Sequence, residues 1–388
     1  MGASRRTVLK IAGATAALAG GAVAARAWQQ GVFSVGQGPA YDPWRTWRAD
    51  QPEGPTRLVR AAILAANPHN SQPWRFRVRD TIVDVFADTE RNIGTIDPYR
   101  REMYVGLGCA VENLVLAAER YGYAVDVTLL PDAANAAHAA RVALVPSTPK
   151  ESALFDAISA RHTDRGPYDI DRPVSGETLT KLAGLGPDLP QVSVLWFTTE
   201  PDRRRVGELI VAATEAIVAD SQQSGDSAKW FRSSWGEIQQ LRDGITLDAQ
   251  SLPPFINVMA KILPPLSQEQ SDQAWLRATR DRHVATAAAF GLIVVPDTND
   301  NAWRIRGGRL WQRMHLWATT QGLSMQPLNQ MSERADRERM LGIEPRFGTA
   351  LKELVSVPEM QALMPFRLGY PTMQARPSPR RDVTAVLM

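Results

Sequence analysis

Residues 67–72 read Asn67-Pro68-His69-Asn70-Ser71-Gln72, a turn with five hydrogen-bonding side chains. An apolar, helix-like stretch from Leu58 to Ala65 leads in. Pro68 and Pro73 then break it, and Arg75-Phe76-Arg77-Val78-Arg79 alternates as a strand does. A turn that only reverses the chain needs no such set of donors and acceptors. It is either a ligand-holding turn or a polar loop capping the helix. His69 has two roles open, proton donor to a reduced substrate or helix-capping turn residue. A second cluster, Arg161-His162-Thr163-Asp164-Arg165, sets a hydroxyl between two guanidinium groups. Paired N–H groups with a hydroxyl suit a phosphate. The alternative is an ion-paired loop, in which Arg161 and Arg165 answer Asp164 and Asp169.

The elements around these clusters mix helices and strands. The pattern predicts a helix over Arg57–Ala65, then paired strands Phe76–Arg79 and Ile82–Phe86 turning about Asp80. Gly106 to Gly122 has helical spacing of Val111, Leu114, Val115 and Ala118, with Gly122 as its stop. Gly106 and Gly108 do not make a dinucleotide fingerprint, because Val111 stands where the third glycine belongs. Val125–Leu130 and Arg141–Val145 read as strands, Leu154–Ala160 as a helix and Val192–Thr198 as a strand. Val206–Ala219, Lys229–Leu241 and Trp275–Phe290 read as helices, and Gly291–Val295 as a buried strand. Gly244 to Pro265, with two Pro-Pro pairs, is an irregular excursion: a lid over a site or a surface insertion.

Gly308 to Gly322 aligns without gaps on Gly108 to Gly122, with Gly108/Gly308, Leu116/Leu316, Ala118/Ala318 and Gly122/Gly322 coinciding. Both copies follow a polar stretch and end before an extended segment.

At the N-terminus, Ser4-Arg5-Arg6-Thr7-Val8-Leu9-Lys10 is a twin-arginine pattern, followed by an apolar run from Ile11 to Ala25. Ala25-Arg26-Ala27 fits a small-residue cleavage site. Residues 1–27 are therefore expected to be a signal peptide for the twin-arginine export (Tat) machinery. The protein would then be periplasmic or otherwise extracytoplasmic, and membrane-tethered if the signal stays uncleaved. The formal charge is +3 with no Lys/Arg block beyond the leader, which argues against a nucleic-acid face. Cys109 is the sole cysteine, so no internal disulfide is possible. The five histidines, His69, His138, His162, His283 and His315, show no metal-ligand spacing. No nucleophile elbow, P-loop or catalytic carboxylate pair stands out, and no catalytic residue is assigned.

Asn70-Ser71-Gln72-Pro73-Trp74-Arg75-Phe76 resembles the first flavin-contact segment of the FMN-dependent nitroreductase family. Arg161-His162-Thr163-Asp164-Arg165 is similar to that family's Arg-x-Ser-x-Arg phosphate motif, with Thr163 replacing Ser. Leu368-Gly369-Tyr370-Pro371 and the basic Arg376–Arg381 tail resemble its C-terminal ending, in which an arginine returns to the phosphate. Arg380 and Arg381 are equal candidates. The glycine-bearing helix at Gly108 and Gly308 resembles the family's central dimer helix. The match is nearest to the Acg-like branch.

The resemblance implies an α+β nitroreductase-like fold with mixed or antiparallel sheets flanked by helices. Two fused halves, 40–150 and 151–388, would form an intramolecular pseudo-dimer within a monomer, with an insertion near 244–265. It implies one FMN site built from Asn67, His69, Asn70, Ser71 and Gln72, from Arg161, His162, Thr163 and Arg165, from Pro327 and Leu328 beside the ring edge, and from Arg380 or Arg381. One site rather than two is expected, because the first half lacks the arginine motif and the second lacks Asn-Ser-Gln-Pro-Trp. The implied activity is electron or hydride transfer through FMN from a small-molecule donor to nitroaromatic or quinone-like acceptors. The alternative is a protein that stores or sequesters FMN.

Overall fold

The structure is a computed structural model, described here over residues 21, 23–49 and 54–388. The twin-arginine pattern lies outside the described residues. Two four-stranded antiparallel sheets stand on either side of a pair of 20-residue helices, Arg101–Arg120 and Asn301–Thr320. The first sheet holds β1 (Trp74–Arg79), β2 (Ile82–Ala87), β3 (Tyr123–Leu129) and β4 (His138–Pro146), in the order β1-β2-β4-β3. A two-residue pair follows, β6 (Phe231–Arg232) beside β7 (Ile245–Thr246). The second sheet holds β5 (Ser193–Phe197), β8 (Ala289–Val295), β9 (Ser324–Pro327) and β10 (Gln361–Gly369), in the order β5-β8-β10-β9. In each sheet the long helix falls between the second and third strands in the chain, and the last strand pairs between them. The two sheets thus share one strand topology.

Hydrophobic pattern explains the placements. In β1 the alternation buries Trp74 and Phe76 and leaves Arg75 exposed. β8 is buried at every position and reads as a continuous apolar run, as an interior strand must. The Arg101–Arg120 helix is buried on all sides as far as Ala118. Its partner crosses it at Gly108 and Gly308, and Cys109 Sγ donates to the Gly308 carbonyl at 3.3 Å. Gly122 and Gly322, at φ 83° and 68°, turn the chain out of each helix.

Polar side chains lock this seam. Glu112, 1% exposed, accepts from Arg309 Nε at 2.8 Å and from Arg313. Gln312 donates to Asn113 Oδ1 at 2.9 Å and accepts the Ala66 N–H at 3.2 Å. The second long helix therefore anchors the chain just where it enters the polar turn.

Several elements depart from expectation. The Arg57–Ala65 helix is Thr56–Ala62, and Leu154–Ala160 shrinks to Ala153–Asp156. Lys229–Leu241 is helical only over Trp235–Leu241, because Ser234 caps that helix and the preceding residues pair as β6 with β7. Trp275–Phe290 does not continue as one helix. Gln268–Ala278 is followed by a π-helical turn, Thr279–Val284, and Arg367 Nη1 donates to the His283 carbonyl at 3.2 Å. The Gly244–Pro265 excursion contains a helix, Pro254–Ile262. The C-terminal tail is threaded into the fold: Phe76 N–H donates to Val386 O at 2.8 Å and Met388 N–H to Phe76 O at 2.9 Å. Among the described residues no helix is long and apolar enough to cross a membrane. No group of three or more His, Cys, Asp or Glu side chains among them is placed to hold a metal ion.

Candidate functional site

The polar turn is held in a shape that most residues avoid. His69, Asn70 and Gln72 all have left-handed backbone, at φ 48°, 54° and 53°. Such a non-glycine residue costs about 1–2 kcal/mol. The turn's own hydrogen bonds offset this. Asn67 Oδ1 accepts the Gln72 N–H at 2.7 Å, and Asn67 Nδ2 donates to Ala65 O at 3.1 Å. Asn70 Nδ2 donates to Gly244 O at 3.1 Å and to Pro379 O at 2.9 Å, while its Oδ1 accepts from Arg380. Gln72 Nε2 donates to Arg242 O at 2.8 Å, and its Oε1 accepts the Arg381 N–H at 2.8 Å. The turn is thereby stitched to the Gly244 segment and to the tail.

This stitching aims Asn67, Pro68 and His69 into a cavity of about 930 Å³, a volume that suits a cofactor-sized ligand. The seam helix approaches the turn closely at Gly106, where a Cβ would lie 3.0 Å from Pro68 Cδ. Thr163 and Arg165 enter the same cavity from the arginine cluster, and Pro327 and Leu328 from the end of β9. Six of the residues singled out in the sequence, Asn67, His69, Thr163, Arg165, Pro327 and Leu328, thus share one wall. Asn70, Ser71, Gln72, Arg161, His162, Arg380 and Arg381 lie behind it. Arg161 Nη2 donates to Leu64 O at 3.0 Å. His162 sits edge-on to Trp44 with ring centroids 4.7 Å apart. Arg380 Nη2 donates to Ala65 O at 3.2 Å.

Burial and neighbouring charges set the electrostatics of the wall. Burial pulls Arg165 down to about 10, so it stays charged at neutral pH. Its side-chain hydrogen bond among the described residues is from Nη1 to Ala249 O, 3.2 Å, which leaves further donors for a ligand. Burial, then the Arg165 charge, lowers His69 to about 4, so its ring is neutral. His69 Nε2 lies 2.9 Å from Ser227 Oγ, also on the wall.

Other wall residues escaped the sequence reading. Cys109 and Trp311 come from the seam helices, and His283 from the π-helical turn. His283 is 3% exposed, and neither ring nitrogen has a hydrogen-bond partner among the described residues. Gln330 Oε1 is likewise buried without a partner. Glu102 and Glu333 also line the cavity. Burial pushes Glu102 up to about 7, against the pull of Arg101. Burial and the Glu102 charge hold Glu333 well above the usual carboxylate range. A break in the helix at Thr279 had no sequence signal, and without it His283 could not be placed.

No protein-family model matches the chain. A Mycobacterium tuberculosis H37Rv protein, provisionally named an NAD(P)H nitroreductase, is 26% identical over 339 residues, covering 85% of this chain and 90% of that protein. The chain is nitroreductase-like. A second protein of that organism, acg, also provisionally named an NAD(P)H nitroreductase, is 32% identical to this nitroreductase-like chain over 113 residues, or 28% of it and 34% of acg. A similar solved structure is the FMN- and NADPH-dependent nitroreductase NfnB from a Sphingopyxis strain, at 15% identity and TM-score 0.38, covering 61% of this chain and 98% of that one. Another is a nitroreductase with bound FMN from Desulfitobacterium hafniense, at 12% identity and TM-score 0.37, covering 59% and 94%.

Proposed function

We propose that this nitroreductase-like oxidoreductase binds one FMN in the cavity between the polar turn and Arg165, and passes electrons from a small-molecule donor to nitroaromatic or quinone-like acceptors. The observation that carries the proposal is the convergence of three distant segments, at His69, Arg165 and Leu328, on a single wall.

The wall suits that cofactor. Arg165 and Thr163 supply a cation and a hydroxyl for a phosphate, and Trp311, Leu328 and Cys109 supply apolar surface for a ring. The orphaned ring nitrogens of His283 and the Gln330 carbonyl oxygen offer polar partners for a heterocycle. Bound FMN would supply two-electron transfer. The chain's own part is to bind, orient and exclude water. Arg165 holds charge where a phosphate would lie. The turn fixes the edge of the wall through Asn67. Neutral His69, next to Ser227 Oγ, keeps that edge uncharged.

The shared strand order supports a fusion of two halves, residues 40–150 and 151–388, each too incomplete to hold the cofactor alone. The Pro254–Ile262 helix forms one side of the cavity, which favours storage of FMN as the second possibility. Stopped-flow reduction of the FMN-loaded protein by NADPH or dithionite, followed by nitrofurazone or menadione, separates the two. Prompt reduction and reoxidation support the oxidoreductase; a flavin that external donors cannot reduce leaves storage. Twin-arginine export is likewise proposed, on the strength of the leader sequence. N-terminal sequencing of protein secreted by its native host tests cleavage after Ala27.

A further inference from the structure

The mouth of the cavity is apolar on its outside as well as its inside. The Pro254–Ile262 helix has a single charged residue, Lys261, which points inward and pairs with Asp248 at 2.7 Å with both side chains buried. Its outer surface therefore carries no charge. Phe255 on that surface is 72% exposed, and Ile256, Met259, Leu263 and Leu266 are exposed beside it. The helical residues 23–29 dock alongside. Arg26 donates to the carbonyls of Ile262 and Leu263, Ala27 is buried, and Trp28 stands 75% exposed. Arg26, Ile256, Met259, Leu263 and Leu266 also line the cavity, so these side chains form its rim. Soluble proteins seldom leave such a cluster bare.

We propose that this rim is a membrane-docking face, seated in the interfacial region of a phospholipid bilayer with the cavity opening toward the lipid. Three observations favour a bilayer over a protein partner. The outward face of the Pro254–Ile262 helix has neither charge nor salt-bridge partner to specify a protein surface, and an aromatic-bearing apolar helix face is what an interface accepts. Where the leader is retained uncleaved, its apolar run Ile11–Ala25 overlaps the docked residues 23–29 in sequence, and those described residues lie at this same face. Trp28, on the same docked segment, is 75% exposed, and indole rings favour the headgroup level. The face is defined by these side chains alone and does not depend on which molecule the cavity holds.

Cys109 is the sole cysteine and is buried, with burial pushing its thiol up to about 12, so a cysteine introduced on the surface can be labelled alone. The test labels the full chain carrying Phe255→Cys with the environment-sensitive fluorophore NBD. Vesicles of phosphatidylcholine and phosphatidylglycerol in equal parts are then added. Glu177→Cys, on an exposed helix outside the rim, is the control. The expected result is a blue shift and brightening at 255 with no change at 177. A second variant, Phe255→Ser with Leu263→Ser and Leu266→Ser, should keep its thermal unfolding midpoint and lose flotation with the vesicles. The proposal is overturned if the label at 255 does not shift, including the case in which the chain floats through its leader alone. It is also overturned if both positions shift alike. A concentration-dependent dimer that the triple variant abolishes, without any shift on vesicles, would assign the face to a second copy of the chain instead.

Discussion

Gly108 and Gly308 face each other across the seam so closely that a methyl group on either would strike backbone. A Cβ at Gly308 would lie 2.0 Å from the Val105 carbonyl oxygen, and one at Gly108 would lie 2.1 Å from that of Ile305. Both long helices would have to separate. Gly308→Ala is therefore expected to destabilise the protein by about 1–3 kcal/mol or more. Gly176, at a helix start with open space around it, is the control, and Gly176→Ala should change stability by less than about 0.5 kcal/mol. Thermal unfolding of the two variants checks this.

Gln312 joins the seam to the entry of the polar turn. Gln312→Leu keeps the volume but leaves Asn113 Oδ1 and the Ala66 N–H buried without that partner. The expected loss is about 1–3 kcal/mol. Urea unfolding should show a lower midpoint with an unchanged slope, since the denatured chain is the same size.

Arg380 is buried and holds Asn70, Ala65 and Pro379 together, although it does not reach the cavity. Arg380→Ala should destabilise the flavin-free protein by about 3 kcal/mol, because it strands buried acceptors. If Arg380 instead served only a ligand's phosphate, the flavin-free protein would unfold at the wild-type midpoint. Calorimetry without added flavin distinguishes the two roles.

His69 gives a pH dependence with a definite sign. Its folded value, about 4, lies below the unfolded value of 6.5, so the unfolded chain takes up the proton first. Stability from this group is full above pH 6.5 and is lost as pH falls toward 4, by about 3 kcal/mol at most. Asparagine tolerates the left-handed backbone here and cannot titrate. His69→Asn should therefore gain on the wild type as pH falls from 6.5 to 4, and hold a constant difference above 7. Denaturation at a series of pH values reads that difference. A gap independent of pH would mean that His69 is not held neutral.

Much of the fold was legible because its signals are local. Alternation marked β1 and β2, and paired glycine stops marked both long helices. The site was legible in part. Asn67, His69, Thr163 and Arg165 belong to short motifs, and each reaches the cavity. Asn70, Gln72 and Arg380 carry the same chemistry but spend it on tying the turn to the tail. Residue type cannot distinguish a donor that meets a ligand from one that meets a distant carbonyl. Glu102, His283 and Gln330 reach the wall only through long-range packing, and His283 only because the chain departs from a regular helix at Thr279.

The most direct measurement is a titration of the flavin-free protein with FMN and with riboflavin, which lacks the phosphate, followed by absorbance, for wild type and Arg165→Ala. The wild type should turn yellow and bind FMN more tightly than riboflavin. Arg165→Ala should lose about 1.5–3 kcal/mol of FMN affinity and almost none for riboflavin. A protein that binds neither flavin, or an Arg165→Ala variant that binds FMN as the wild type does, would contradict a phosphate held at Arg165.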